Sequence, residues 1–175
     1  MVNKCYGYLR MKRRNLVLGG LATSVLGACS SSKFRRYNGP QVTYVVVNKA
    51  PRQMFLFHKQ RVLKSYDIDL GFAPIGDKFF EGDGRTPEGR YIIDRRNPNS
   101  QFHLSLGISY PNAQDIAEAR ALGKSPGGDI FIHGKSNPLK KGSNDWTWGC
   151  IAVTNREIED VYAMIQNGTP IQINA

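Results

Sequence analysis

One cysteine stands at a corner of this chain. In "DWTWGCIAV", Cys150 follows Gly149 and precedes an apolar run, with Thr147 and Trp148 just before it. A thiol becomes a useful nucleophile when a base takes its proton or its surroundings stabilise the thiolate. If it attacks a carbonyl, the oxyanion that forms needs hydrogen-bond donors. Gly149 permits a tight backbone turn that aims N–H groups at such an oxygen. Three histidines are candidates for the base. His58 falls at a predicted hairpin tip and reads as a solvated turn residue. His103 lies in an apolar strand, where it either packs in the core or lines a pocket. His133 ends "DIFIHG", where a buried strand gives way to a Gly turn. Strand ends open onto clefts, so His133 is the geometric favourite. A neighbouring imidazolium would lower the thiol pKa from about 8.5 and keep Cys150 quick to alkylate below about pH 8. Zinc competes for the same residue types, but the chain has no closely spaced Cys or His pairs. No metal or other cofactor is expected.

The rest of the chain explains why that thiol is alone. "MKRRNLVLGGLATSVLGAC" has a basic start, an apolar stretch from Leu16 to Leu26 and small residues leading to Cys29, the pattern of an export signal. The stretch is shorter than the roughly 20 apolar residues of a membrane span. "LGAC" resembles a bacterial lipobox, which implies lipidation of Cys29 and cleavage before it. Residues 1–28 are then a lipoprotein signal peptide, 29–41 the lipidated cysteine with a flexible polar tether, and 42–175 one catalytic domain. The expected location is the periplasm, anchored to a membrane, and to the outer membrane in a Gram-negative host. Cys5 leaves with the signal and Cys29 carries lipid, so Cys150 has no intrachain disulfide partner. By residue type alone it is either a buried inert thiol or one kept for its reactivity.

Charge excludes one large class. The net charge is +10, yet the first 41 residues hold no acidic side chain, and from Val42 onward 16 basic residues face 14 acidic ones. The excess sits in the leader and tether, so nucleic-acid binding is not expected.

The elements that must position the site are mostly strands. Apolar and β-branched runs predict strands at 42–48, 53–58, 61–70, 89–94, 101–109, 128–134 and 169–174. Two helices interrupt them. One starts at Asn112 as N-cap, with Asp115 in its first turn and Gly123 as its stop. The other has a Thr154/Glu157 capping box, an apolar face of Ile158, Val161, Tyr162 and Ile165, and Gly168 as its end. The fold class is mainly β with two helices (α+β). Residues 72–91 read as a long surface loop with turns at Gly82, Gly84 and Gly89; "EGDGR" has neither the ligands of an EF-hand nor those of a P-loop.

"IHGKSNPLKKGSNDWTWGCIAV" resembles the signature of the L,D-transpeptidase (YkuD-type) catalytic domain: His-Gly, a loop, then Ser/Thr-x-Gly-Cys and a hydrophobic residue. His133, Gly134, Thr147, Gly149, Cys150 and Ile151 match it in order, and the resemblance covers most of 42–175. It implies a β-sandwich catalytic domain working as a cysteine acyltransferase on peptidoglycan stem peptides, through a thioester on Cys150 with His133 as base. It also implies that the Gly134 carbonyl sets the His133 tautomer. The N–H groups of Trp148, Gly149 and Cys150 would form an oxyanion hole, and Thr147 would brace the turn. Many members carry His at the position of Trp148, and Arg or Asn at that of Ala152. "WTWGCIAV" together with "HLSLGISYPN" resembles a side branch that includes hydrolases of the link between peptidoglycan and an outer-membrane lipoprotein. Cleavage without transfer is therefore the alternative, and a non-catalytic wall-binding lipoprotein a third reading that leaves Cys150 and His133 unexplained. His103 and Tyr110 are candidate substrate contacts, and Trp148 either shapes the approach or caps the core.

Overall fold

A computed structural model describes residues 32–135 and 145–175. The export signal, Cys29 and residues 136–144 lie outside the described residues.

Among the described residues eight strands form one sheet: β1 (Tyr44–Asn48), β2 (Gln53–His58), β3 (Arg61–Asp67), β4 (Gly89–Asn97), β5 (Ser105–Ile108), β6 (Phe131–His133), β7 (Ile151–Ala152) and β8 (Pro170–Asn174). Their order is β3-β2-β1-β8-β4-β5-β6-β7. Period-2 alternation buries Val45 and Val47 of β1 and Met54 and Leu56 of β2, while their neighbours face outward. β3 at one edge carries the exposed Arg61 and Lys64, charges that discourage pairing with a foreign strand.

The sheet bends at β4. Its first residues pair with β8 and its last with β5, and the register shifts between Ile93 and Arg95. The two layers of the expected sandwich are thus halves of one curved sheet. The chain beyond β3 then reaches the opposite edge: Asp69 exchanges two backbone hydrogen bonds with Ala152, at 2.9 and 2.8 Å. Gly71 bridges to Thr147. This contact ties the β3 end of the sheet to the strand that follows Cys150.

α1 (Ala113–Ala121) starts at Asn112 as expected, with Asp115 completing a capping box. Asp115 also accepts from the Tyr91 hydroxyl, at 3.1 Å from each carboxylate oxygen. α2 (Asn155–Met164) has the expected Thr154/Glu157 box and buries Ile158, Val161 and Tyr162 against β5 and β6. It ends at Met164 rather than at Gly168. Ile165 turns extended (ψ 133°) and is fully buried, so the core claims its side chain before the helix can continue.

Other predicted boundaries shrink for local reasons. β5 starts only at Ser105 because His103 adopts φ +75°, and β6 starts at Phe131 because Asp129 adopts φ +56°. The 72–91 loop is more anchored than a surface loop. Lys49, 2% exposed, donates to the carbonyls of Gly76 and Thr86 and to Glu88. Lys78 and Asp83 form a buried pair at 2.7 Å. Asp83 also accepts the N–H groups of Phe79, Phe80 and Arg85, so this carboxylate serves the loop itself.

The expected flexible tether is not free over residues 32–41. Lys33 donates to the carbonyls of Pro98 and His103, Arg35 pairs with Glu159 and Asp160, and the Phe34 ring lies 6.4 Å from that of Tyr162. Arg35 of the expected tether has found acidic partners on α2, and Lys33 backbone carbonyls.

Candidate active site

β6 and β7 run parallel, with Ile132 opposite Ile151 and His133 opposite Ala152. Alternation then puts Cys150, one residue before β7, on the same face as Phe131 and His133. The contacts agree. The Phe131 N–H points at Cys150 Sγ (3.4 Å), and Sγ lies 3.6 Å from the Asp129 carbonyl oxygen. Cys150 is half-buried and is the free cysteine of the described residues.

The corner before Cys150 is held from both sides. Thr147, 3% exposed, donates its hydroxyl to the Cys150 carbonyl (2.7 Å) and accepts the Gly149 N–H (3.2 Å). That bond occupies the Gly149 donor, so the implied oxyanion hole narrows to the N–H groups of Trp148 and Cys150. Gly149 has φ +116°, and a Cβ there would stand 2.5 Å from the Arg85 carbonyl oxygen. Gly149→Ala is expected to destabilise the domain by about 3 kcal/mol through backbone strain and this clash. A urea-unfolding midpoint equal to wild type would contradict this account of the corner. Asp145 secures the approach to the corner, accepting from Arg52 at 2.7 Å and from the Leu70 N–H at 2.9 Å.

His133 is 2% exposed. Its Nδ1 is 2.7 Å from the Gly134 carbonyl oxygen. A carbonyl only accepts, so Nδ1 carries the hydrogen and Nε2 of the neutral ring keeps its lone pair. Gly134 is packed so closely that a Cβ would meet Asn155 Oδ1 at 2.7 Å and the Phe102 carbonyl at 2.8 Å. The Phe102 ring stacks on His133 at 4.4 Å, and Trp146 stands edge-on at 5.7 Å. The Trp146 indole N–H donates to Asp69 at 3.2 Å. Phe102, Trp146, Asp69 and Asn155 were not singled out from sequence; an aromatic beside the motif, such as Trp146, was the one available signal.

Burial sets the charge state. It pushes the His133 pKa down, aided by Lys135 and opposed by the bond to Gly134. It pushes the Cys150 thiol up, with the Phe131 N–H opposing and Asp129 adding to the rise. Both directions favour the neutral form, for the imidazole and for the thiol. The expected thiolate–imidazolium pair with a lowered cysteine pKa is therefore corrected: desolvation penalises each charged form.

The other candidates separate. Trp148 is 72% exposed and packs edge-on against Phe72 at 4.9 Å, so it does not cap the core. Tyr110 is 4% exposed and donates to the Pro126 carbonyl (2.9 Å), which makes it a core residue rather than a substrate contact. His103 is not a free pocket wall: its Nε2 sits 2.9 Å from Glu159. His58 contacts the Gln41 carbonyl at the end of β2, away from this constellation in the sheet order. Ala152 is fully buried between His133 and Asp69, a place without room for a solvent-facing polar side chain. Among the described residues no group of His, Cys, Asp and Glu could hold a metal ion.

Residues 42–173 match the family model of the L,D-transpeptidase catalytic domain (YkuD). The chain belongs to the L,D-transpeptidase family. YafK of Escherichia coli (strain K12), whose name provisionally places it among the L,D-transpeptidases, is 30% identical over 128 residues, spanning 70% of this chain and 46% of YafK. The chain thus spans about half the length of that relative. Among solved structures, Pgp2 from Campylobacter jejuni, described as a helical cell shape determining protein, is 27% identical. Its TM-score is 0.58, over 78% of this chain and 49% of that one. Bd1075 from Bdellovibrio bacteriovorus is 25% identical with a TM-score of 0.53, over 80% and 50% of the two chains. The mainly β L,D-transpeptidase fold with two helices is the one observed here.

Proposed function

We propose that this chain is a cysteine acyltransferase acting on peptidoglycan stem peptides. The observation that carries the reading is the shared sheet face of Cys150 and His133, with the imidazole tautomer set by Gly134. His133 Nε2 takes the thiol proton as Sγ attacks a carbonyl of the stem peptide beside its diamino-acid residue. The oxyanion is held by the N–H groups of Trp148 and Cys150. Collapse breaks the amide C–N bond, and the imidazolium returns the proton to the departing amine. The thioester left on Cys150 passes its acyl group to an acceptor amine as the C–S bond breaks, with the acceptor's proton passing through His133 to the departing thiolate. Membership of the family supports the substrate class. The exposed Trp148–Phe72 pair supplies an aromatic ledge beside the nucleophile for the approaching strand.

Incubating the purified protein with peptidoglycan sacculi, followed by muropeptide mass spectrometry, tests this. New cross-links joined without a net gain of water support transfer. Shortened stems without them assign the protein to hydrolysis, and unchanged muropeptides overturn the proposal.

The lipobox resemblance extends the reading to a periplasmic protein anchored through Cys29. Cys29→Ala is expected to move the protein from the membrane fraction to the soluble one, because the lipid on Cys29 would supply the attachment. Recovery in the membrane fraction at wild-type level would rule the anchor out.

A further inference from the structure

The ring that buries His133 belongs to Phe102, and Phe102 precedes a strained residue. His103 sits at φ +75°, a conformation that costs energy for any residue with a Cβ and persists only when its surroundings hold it. Two groups hold it, and a third braces one of them. The Lys33 ammonium donates to the His103 carbonyl at 3.1 Å and to the Pro98 carbonyl at 2.6 Å. Glu159 Oε1 meets His103 Nε2 at 2.9 Å, and Glu159 Oε2 accepts from Arg35 at 2.9 to 3.0 Å. Burial alone would raise the Glu159 pKa, but the hydrogen bonds from His103 and Arg35 outweigh it and hold the carboxyl below its ordinary value. The Phe102 carbonyl, in turn, accepts the Gly134 N–H at 3.1 Å. A continuous set of contacts therefore runs from the strap at residues 33–35, through Glu159 and His103, to the Phe102–Gly134–His133 unit.

We propose that Arg35, Glu159 and His103 are positioning residues for the reaction of Cys150 and His133, acting by holding the Phe102 ring against the imidazole. None of the three touches the thiol. Their effect is to keep water off His133 and its ring plane fixed, so that Nε2 stays aimed and neutral. This rests on reading His133 as the base. It also gives the segment after Cys29 a use beyond tethering: the strap is part of what completes the active site. The charged and titratable groups near His133 are Lys135 two residues on in the chain, Cys150 just before the neighbouring strand β7 and Asp69 behind the Trp146 indole. Ser105, opposite on β5, is neutral. Glu159 faces His103, so losing its charge reaches His133 through Phe102.

The test combines NMR titration of the three histidines with steady-state kinetics, in wild type, Arg35→Ala, Arg35→Lys and Glu159→Gln. Thermal melts identify any variant that does not fold. Glu159→Gln keeps the side-chain shape and serves if Arg35→Ala fails to fold. Loosening Phe102 re-solvates His133, so its pKa is expected to rise by roughly half a unit or more toward the ordinary imidazole value in Arg35→Ala and Glu159→Gln. The acid limb of the rate profile should rise with it. kcat should fall roughly tenfold with KM little changed, and Arg35→Lys should recover part of both effects. An unchanged His133 titration in folded variants overturns the proposal. So does a loss of kcat that tracks melting temperature alone. Should Cys150→Ala retain turnover, the catalytic reading falls, while the His133 titration still decides whether the strap buries that ring.

Discussion

On the proposed function, replacing Cys150 with alanine is expected to abolish turnover of peptidoglycan stem peptides while the domain still folds. The loss should be at least about 10⁴-fold, since covalent catalysis has no path without its nucleophile. Removing the sulfur takes away one weak acceptor of the Phe131 N–H and creates a small void at a half-buried position. The melting temperature should therefore move little. The pH dependence of the thiol separates this site from an ion-pair site. Burial raises the Cys150 pKa, so the rate of iodoacetamide labelling should still be climbing above the free-cysteine value of about 8.5. A labelling rate already at its plateau near neutral pH would mean that the resting site holds a thiolate, against the neutral pair inferred from burial. Full activity in Cys150→Ala would end the acyltransferase reading.

His133→Ala should cost about 10²- to 10⁴-fold in kcat/KM, the usual worth of a positioned general base. It should also remove the acid limb of the rate profile. In the wild type that limb lies below the ordinary imidazole value of about 6.5, because burial lowers the His133 pKa. Linkage gives a matching stability effect. The folded pKa lies below the unfolded one, so the contribution is present above about pH 6.5 and lost as pH falls through the folded value. His133→Ala should flatten that part of the stability profile. A rate profile whose acid limb survives unchanged in His133→Ala would move the base elsewhere. His133→Asn is the useful companion, since its amide nitrogen stands where Nδ1 does and can donate to the Gly134 carbonyl without supplying a base.

How much of this was legible beforehand depends on the range of the contacts involved. The Thr154/Glu157 capping box and the Asn112 N-cap could be read locally, because a cap is closed by its own turn. Strands β1, β2 and β8 could be read from apolar runs that period-2 burial then confirmed. β7 could not: two residues carry no period, and Ile151–Ala152 is a strand because β6 and Asp69 pair with it.

Chain order alone named the candidate partners of the proposed chemistry. His133-Gly134 and Thr147-x-Gly149-Cys150 lie on short local motifs, where a carbonyl beside a histidine and a glycine before a thiol are set by chain order. Tertiary structure alone decided their environment. The Phe102 ring reaches His133 from a separate stretch of chain, Trp146 folds back onto it from beside the motif, and the curvature of the sheet brings Asp69 to the strand after Cys150. Residues that read as a free tether became a strap because α2 supplied Glu159 and Asp160 to Arg35, and the Pro98 and His103 carbonyls accepted from Lys33. The protonation state followed from the same contacts. Residue types suggested a thiolate beside an imidazolium, but desolvation depends on everything packed around a group, and it raised one pKa and lowered the other.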